Sequence, residues 1–238
     1  MKTINLGSRI NNIFLIKLDA GYLLIDTGYS EQFADFCKKL TLNNIEINEI
    51  HYVLLTHAHD DHAGFLNELL DQSNAKVILH REAVVRLMAG QNSFDGGCSS
   101  ILAYAFCNLM KLFGKGEHRF NPVDRKDRYL LSDEIQNLSI ETKLPGEIIN
   151  LPGHTSDSIG LFLNDGTMFC GDAAMNGFPS TDRITIWIEN LDNYKKSWET
   201  IIRLNPKEIY PSHGKSFKVE DLKKRISNLD RVKLKPLK

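Results

Sequence analysis

A dense run of metal-binding side chains follows one apolar segment of the sequence. Four residues of ligand type fall within six positions directly after the predicted strand His51–Thr56: His57, His59, Asp61 and His62. Imidazole and carboxylate groups bind divalent metals where several of them converge. We therefore predict a metal site at the end of this strand.

The spacing within the run divides these ligands between two ions. In extended backbone, residues two apart project to the same side, so His57 and His59 can bind one ion. Asp61 and His62 are adjacent and must diverge, which suits a second ion. Four ligand-type residues at this density favour a two-metal centre over a polar solvent loop.

Three further residues could complete the centre. Each follows an apolar segment and lies next to glycine, where the backbone can approach an ion closely: His154, Asp172 and His213. Taken alone, a histidine is more often structural, and an aspartate often caps a helix. Their joint order after the histidine run is what indicates metal binding.

In these motifs the sequence resembles the metallo-β-lactamase superfamily. The resemblance rests on His-x-His-x-Asp-His, a later Pro-Gly-His, a Gly-Asp after a strand and a His-Gly beyond it, and it spans residues 23–214. It implies one metal held by His57, His59 and His154, a second held by Asp61, His62 and His213, and Asp172 as the bridge between them. It also implies that Asp26 orients the ligands through hydrogen bonds.

The same resemblance implies an α+β fold, a four-layer αββα sandwich in which two mixed β-sheets carry helices on their outer faces. Hydrophobic patterning independently favours two strand-rich halves with covering helices. Predicted strands are Thr3–Leu6, Asn12–Leu18, Gly21–Asp26, His51–Thr56, Lys76–His80, Ile148–Leu151, Ile159–Leu163, Thr167–Gly171 and Glu208–Tyr210. Predicted helices are Ser30–Leu40, Gly64–Asp71, Glu82–Met88, Asp192–Leu204 and Val219–Leu229. We expect a single domain, residues 1–238, with a helical insertion at about 90–128.

The predicted insertion carries an amphipathic segment, Ser99–Phe113, whose apolar residues recur at helical spacing. Packing in the core or at a dimer surface is the favoured interpretation. A lid over the site, or one wall of an apolar substrate pocket, is the alternative, because the segment lies in a long connection between recognisable strands.

The predicted chemistry is hydrolysis. Two divalent metals a few Å apart lower the pKa of a bridging water to about 7 and polarise the bond to be broken. We therefore predict a binuclear metal-dependent hydrolase that uses a metal-bridging hydroxide on a small-molecule thioester, ester or lactone. Asp61 and His213 are assigned catalytic roles in addition to ligation, with Asp61 orienting the hydroxide. The expected cofactors are two zinc ions, with iron or manganese as alternatives.

Several relatives of this superfamily remain as alternatives, and others are disfavoured. True β-lactamases resemble the chain in the histidines but lack the carboxylate that Asp172 supplies. Glyoxalase II resembles it across the ligand set but has a helical glutathione-binding region, for which few residues follow His213. Acyl-homoserine lactonases are similar, but Met175 stands where they have a catalytic tyrosine. Phosphodiesterases remain open, as do iron-dependent oxidoreductases, namely persulfide dioxygenases and flavodiiron enzymes; the latter place glutamate where His59 stands.

Composition points to a small-molecule partner. The chain has 238 residues, is 42% hydrophobic and carries a formal net charge of −1, so it lacks the basic field that attracts nucleic acid or an anionic membrane. We therefore predict that the chain binds neither nucleic acid nor a membrane, and we predict a homodimer as one possible assembly. We predict a cytoplasmic location, because the N-terminal segment does not resemble an export signal. In that compartment we expect reduced cysteines, with a Cys98–Cys107 disulfide disfavoured.

Overall fold

The computed structural model of the protein describes residues 2–134, 138 and 142–237. The chain forms two compact units. Unit 1 comprises Met1–Asn92 and His118–Pro145, and unit 2 comprises Ser93–Glu117 and Gly146–Lys238. Each unit contains its own β-sheet and its own hydrophobic core. The single domain with an insertion at about 90–128 stays a prediction.

The described elements follow one another in mixed order along the chain. The strands are β1 (Thr3–Asn5), β2 (Phe14–Lys17), β3 (Tyr22–Ile25), β4 (Ile50–Leu54), β5 (Lys76–Leu79), β6 (Gly97–Cys98), β7 (Tyr129–Leu131), β8 (Gly146–Asn150), β9 (Ile159–Leu163), β10 (Thr167–Gly171), β11 (Trp187–Ile188) and β12 (Glu208–Pro211). The helices are α1 (Phe33–Leu42), α2 (Asp60–Ala63), α3 (Leu66–Gln72), α4 (Arg81–Ala89), α5 (Ile101–Leu112), α6 (Leu191–Leu204) and α7 (Val219–Arg225).

The sheet of unit 1 has the strand order β1-β2-β3-β4-β5-β7. Its first three strands pair antiparallel, whereas β3, β4, β5 and β7 pair parallel, so the sheet is mixed. The central strands are short apolar runs that are almost entirely buried, as expected for parallel strands covered on both faces. Because β3 and β4 are parallel neighbours, their carboxyl ends meet at one edge, which brings Asp26 beside Thr56 and His57.

The sheet of unit 2 has the order β12-β10-β9-β8 and is also mixed. Strand β10 pairs parallel with β12 and antiparallel with β9, which in turn pairs antiparallel with β8. Strands β8, β10 and β12 therefore run in the same direction, and their carboxyl ends lie at one edge. His154, Asp172 and His213 follow these three strands. A two-stranded ribbon, β6 with β11, belongs to the same unit.

Most predicted elements are present, and three differ in detail. The helix predicted from Ser30 begins at Phe33. Ser30 begins a 3₁₀ turn before that helix, and its hydroxyl donates to the carbonyl of Gly64. The helix predicted from Gly64 begins at Leu66 as α3, and the ligand run before it contains a separate short helix, α2, that the sequence did not predict. The last predicted helix ends at Arg225 and continues as the 3₁₀ segment Ile226–Arg231.

The amphipathic segment of the predicted insertion forms α5. Within this helix, which the structure describes in full, Ala103 alone is buried. Its interpretation as core is therefore wrong, since large apolar side chains such as Ile101 and Leu112 point into solvent. Among the described residues, no helix combines the length and the apolar character needed to cross a membrane.

Candidate metal centre

Unit 1 gathers four of the predicted ligands just beyond β4. His57, His59 and His62 are buried, and the side chain of Asp61 is partly exposed. The imidazole rings of His57 and His59 have centroids 4.6 Å apart, and those of His57 and His62 have centroids 3.9 Å apart. His62 reaches this group because α2 turns the backbone after His59. The four side chains therefore lie together beyond β4. Oδ1 of Asp61 is only 3.6 Å from Nε2 of His62, so these two neighbours do not diverge as the spacing predicted.

Asp26 organises this group through buried hydrogen bonds. Its carboxylate accepts from Nδ1 of His62 at 2.8 Å, from the Thr56 backbone N–H at 2.7 Å and from the Thr56 hydroxyl at 2.8 Å. Because the hydroxyl proton of Thr56 is given to Asp26, Oγ1 can accept from Nδ1 of His57, 3.1 Å away. Both imidazoles then carry the proton on Nδ1 and present Nε2 as the ligand atom. The prediction that Asp26 orients ligands fits these contacts.

We expect Asp26→Asn to weaken metal binding by about 10- to 100-fold, the usual effect of losing a partner that orients a ligand histidine. An amide in place of the carboxylate cannot accept all three of these hydrogen bonds. Competition with a chromogenic chelator measures the affinity, and Asp19→Asn, at an exposed turn, is the matched control. Unchanged affinity in Asp26→Asn would refute the orienting role.

A second polar network surrounds Asp60, which lies between the ligands of the run. Its carboxylate accepts from the side-chain amide of Asn92 at 2.8 Å, and its backbone N–H donates to the same Asn92 at 2.8 Å. Nδ1 of His118 lies 3.3 Å from the other carboxylate oxygen. Sequence reasoning did not find this network, because nothing in the spacing links position 60 to positions 92 and 118. His80 caps α4, because its side chain accepts a hydrogen bond from the backbone N–H of Glu82.

Unit 2 gathers the other three predicted ligands at the edge of its sheet. His154, Asp172 and His213 are all buried. Nδ1 of His154 donates to the Trp187 carbonyl at 2.7 Å, so Nε2 is again the available ligand atom. One carboxylate oxygen of Asp172, Oδ2, lies 3.8 Å from Nε2 of His154 and 3.5 Å from Nε2 of His213. A single oxygen therefore faces both histidines.

Two glycines hold the backbone of these histidines in place. Gly153 precedes His154 with a φ of 134°, and a Cβ there would overlap the backbone of Tyr194. Gly214 follows His213 with a φ of 88°, and a Cβ there would overlap the backbone of Asn176. Only glycine combines such backbone angles with so close an approach. The glycines noted in the sequence are thus explained by local geometry.

The donors of both units fit divalent metal ions. Two ligand atoms bound at about 2.0–2.2 Å to one tetrahedral ion lie about 3.4 Å apart. The Nε2–Oδ distances within the units are of this size: 3.6 Å for His62 and Asp61, and 3.5 Å for His213 and Asp172. They are also too long for good hydrogen bonds. Histidine nitrogens with carboxylate oxygens suit zinc or iron better than calcium or magnesium.

Two other groups near Asp172 are poor candidates for chemistry. Burial raises the pKa of the Cys170 thiol to about 12, so this cysteine is neutral and a weak nucleophile. Tyr194 is fully buried, its pKa is raised by burial, and its hydroxyl accepts from the backbone of Thr185. Tyr194 therefore cannot take the role of the catalytic tyrosine of the lactonases. Met175, which stands at the position of that tyrosine, is buried, and its backbone N–H donates to the carbonyl of Arg183.

Comparison with known proteins identifies relatives over most of the chain. Residues 6–213 match the family model described as Metallo-beta-lactamase superfamily. The Beta-lactamase-like protein 2 homolog of Drosophila melanogaster is 26% identical over 205 residues, 85% of this chain and 58% of that protein. The Hydroxyacylglutathione hydrolase of Psychromonas ingrahamii is 26% identical over 170 residues, 70% of this chain and 48% of that protein. The chain spans less than two thirds of the length of each.

A solved structure supports the same assignment of fold. The archaeal metallo-beta-lactamase superfamily protein ST1585 from Sulfolobus tokodaii matches with a TM-score of 0.62 and 21% identity, over 95% of this chain and 84% of that chain. At that identity the likeness bears on fold alone. Together with the two mixed sheets and their helices, it confirms the predicted α+β fold class.

Proposed function

Because the chain belongs to the metallo-beta-lactamase superfamily, we propose that it is a two-metal hydrolase of small-molecule thioesters, esters or lactones. One observation carries the proposal. The carboxylate oxygen Oδ2 of Asp172 faces Nε2 of both His154 and His213, at 3.8 Å and 3.5 Å. A carboxylate in this position can bridge two ions, which distinguishes the chain from the β-lactamases it resembles only in the histidines.

The proposed ligand set comprises all seven predicted residues. One ion would be held by His57, His59 and His154, the other by Asp61, His62 and His213, and both by Asp172. When bound, such a pair of ions lowers the pKa of water and polarises a carbonyl oxygen. Zinc is the expected metal, with iron or manganese as alternatives, because histidine and carboxylate donors accept all three.

The chain's own residues orient the ligands and the reactants. Asp26 and the Trp187 carbonyl hold Nδ1 of His62 and His154, so the Nε2 atoms point in fixed directions. We assign Asp61 to accept a hydrogen bond from the attacking water through its partly exposed carboxylate, which aligns the water with the carbonyl carbon. We also assign His213 a catalytic role in addition to ligation; its Nε2 lies 3.5 Å from the carboxylate of Asp172.

Two considerations support thioesters, esters and lactones as substrates. The hydroxyacylglutathione hydrolase relative is named for an acylglutathione, which is a thioester. A net charge of −1 gives the chain no general attraction for polyanions, which disfavours nucleic acids among the phosphodiester alternatives. The cytoplasmic location and the homodimer stay predictions.

A substrate screen on zinc-loaded protein tests the proposal. Thioesters, esters, lactones and phosphodiesters are offered in parallel, and hydrolysis of at least one of the first three is expected. Hydrolysis of phosphodiesters alone would contradict the substrate class. One bound iron per chain together with oxygen consumption would contradict the hydrolase proposal and favour an oxidoreductase.

A further inference from the structure

Helix α5 exposes a continuous apolar stripe. Leu102, Phe106, Leu109 and Phe113 recur at intervals of four, three and four residues and therefore lie on one helix face. The side chains of Leu102, Leu109 and Phe113 are 43%, 51% and 73% exposed. Within Ile101–Leu112, Lys111 is the one charged residue. An apolar patch of this kind on a soluble domain usually marks a binding surface.

Phe178 extends the stripe beyond the helix. Its side chain is 77% exposed, and its ring meets that of Phe106 edge to face, with centroids 5.9 Å apart and planes at 89°. Such a pair is favourable for aromatic rings and fixes their relative position. We call Leu102, Phe106, Leu109 and Phe178 the α5 patch.

The α5 patch is tied to His213 through the loop that carries Phe178. Asn176, two residues before Phe178, donates its backbone N–H to the carbonyl of His213 at 2.9 Å. The same asparagine forms a parallel bridge with Gly214. The loop that presents Phe178 is therefore fastened to the backbone of one proposed ligand.

The root of α5 is tied to His154 in the same way. Strand β6, which leads into the helix, pairs with β11, where Cys98 lies opposite Trp187. The carbonyl of Trp187 accepts the Nδ1 proton of His154. The indole N–H of Trp187 also donates to the Asp95 carbonyl, at 2.9 Å, ahead of β6. Hydrogen bonds thus connect the two segments that form the patch to two proposed ligands of unit 2, His213 and His154.

From this continuity we propose that the α5 patch binds the hydrocarbon chain of an acyl group whose carbonyl is hydrolysed at the proposed metals. The inference rests on the proposed function and names the substrate class within it: acyl thioesters, esters or lactones with an apolar acyl chain. A chain attached to the carbonyl carbon can extend from the ligands onto a surface joined to both His154 and His213. The near absence of charge on α5 excludes an ionic tail as the preferred occupant.

The test varies acyl length on a constant leaving group. The kcat/KM of the metal-loaded enzyme is measured for N-acetylcysteamine thioesters with acyl chains of two, four, six and eight carbons. We expect kcat/KM to rise by up to about fourfold for each methylene that is buried. In Phe178→Ser and Leu109→Ser, the ratio of octanoyl to acetyl kcat/KM is expected to fall by about tenfold or more. Leu42→Ser, at an exposed leucine ending α1, is the matched control and should keep the wild-type ratio.

The outcomes separate this inference from the proposed function. If thioesters of all chain lengths are hydrolysed equally well, the proposed hydrolase function stands, but the proposal that the α5 patch binds the acyl chain is contradicted. A wild-type dimer that Leu109→Ser dissociates, without a change in the octanoyl ratio, would assign the patch to a second copy of the chain and also overturn it. If no thioester, ester or lactone is hydrolysed, the hydrolase proposal fails, and binding of octanoate by calorimetry decides the site: loss in Phe178→Ser supports it, and no binding to the wild type overturns it.

Discussion

Asp172→Asn is expected to lower kcat/KM by at least about 10²- to 10³-fold, the range seen when preorganised charge is removed from a reaction centre. The carboxylate oxygen that faces His154 and His213 becomes part of a neutral amide, which is a weaker ligand and cannot balance the charge of two ions. The volume of the side chain is conserved, so the fold should be retained. Steady-state kinetics on the metal-loaded variant give the loss.

Asp165→Asn is the matched control for this substitution. Asp165 lies in the turn that precedes β10, at the opposite end of the strand from Asp172, and its carboxylate accepts from the backbone of Thr167. An asparagine preserves that contact, so kcat/KM should stay within about twofold of the wild type. Full activity of Asp172→Asn would show that the carboxylate does not bridge metals.

Removing the metals should abolish turnover and lower the stability of the protein. The seven proposed ligands are buried or partly buried, so ions bound to them would stabilise the folded state. Metal at 100 times its dissociation constant stabilises the folded state by about 2.7 kcal/mol per site. For a chain of this length, that corresponds to a fall in Tm of roughly 5–10 °C for each site that chelation empties. Thermal unfolding before and after dialysis against a chelator measures it.

Restoring zinc to the dialysed protein should recover both activity and Tm, which separates metal loss from irreversible damage. The same dialysis on His57→Ala should lower Tm by about half as much, because one proposed ligand of the first ion is missing while the ligands of the second ion remain. Turnover that survives complete chelation would point to a metal-independent reaction and exclude the proposed chemistry.

The proposed ligand set is predicted from local patterns in the sequence. His57, His59, Asp61 and His62 lie within one short run, and the strand before them is a plain apolar segment. His154, Asp172 and His213 could be grouped because each follows a strand and adjoins glycine. Because these signals are local, they can be recognised without knowledge of the tertiary structure.

Contacts between residues far apart in the sequence could not be predicted. The Trp187 carbonyl that holds His154 carries no side-chain signature, and the partners of Asp60 lie about 30 and 60 positions away. The apolar spacing of α5 predicted packing in the core or at a dimer surface, and the structure contradicts only the core, because most of the helix is exposed or partly exposed. Periodicity identifies which face is apolar, but it does not say what covers that face.

Counting the divalent metal ions bound to the purified protein tests the central claim most directly. Elemental analysis by mass spectrometry, normalised to protein concentration, is made on the wild type and on Asp172→Asn after loading with zinc and removal of free metal. We expect about two ions per wild-type chain and about one in the variant. One ion or none in the fully loaded wild type would contradict a two-metal centre built from these seven residues.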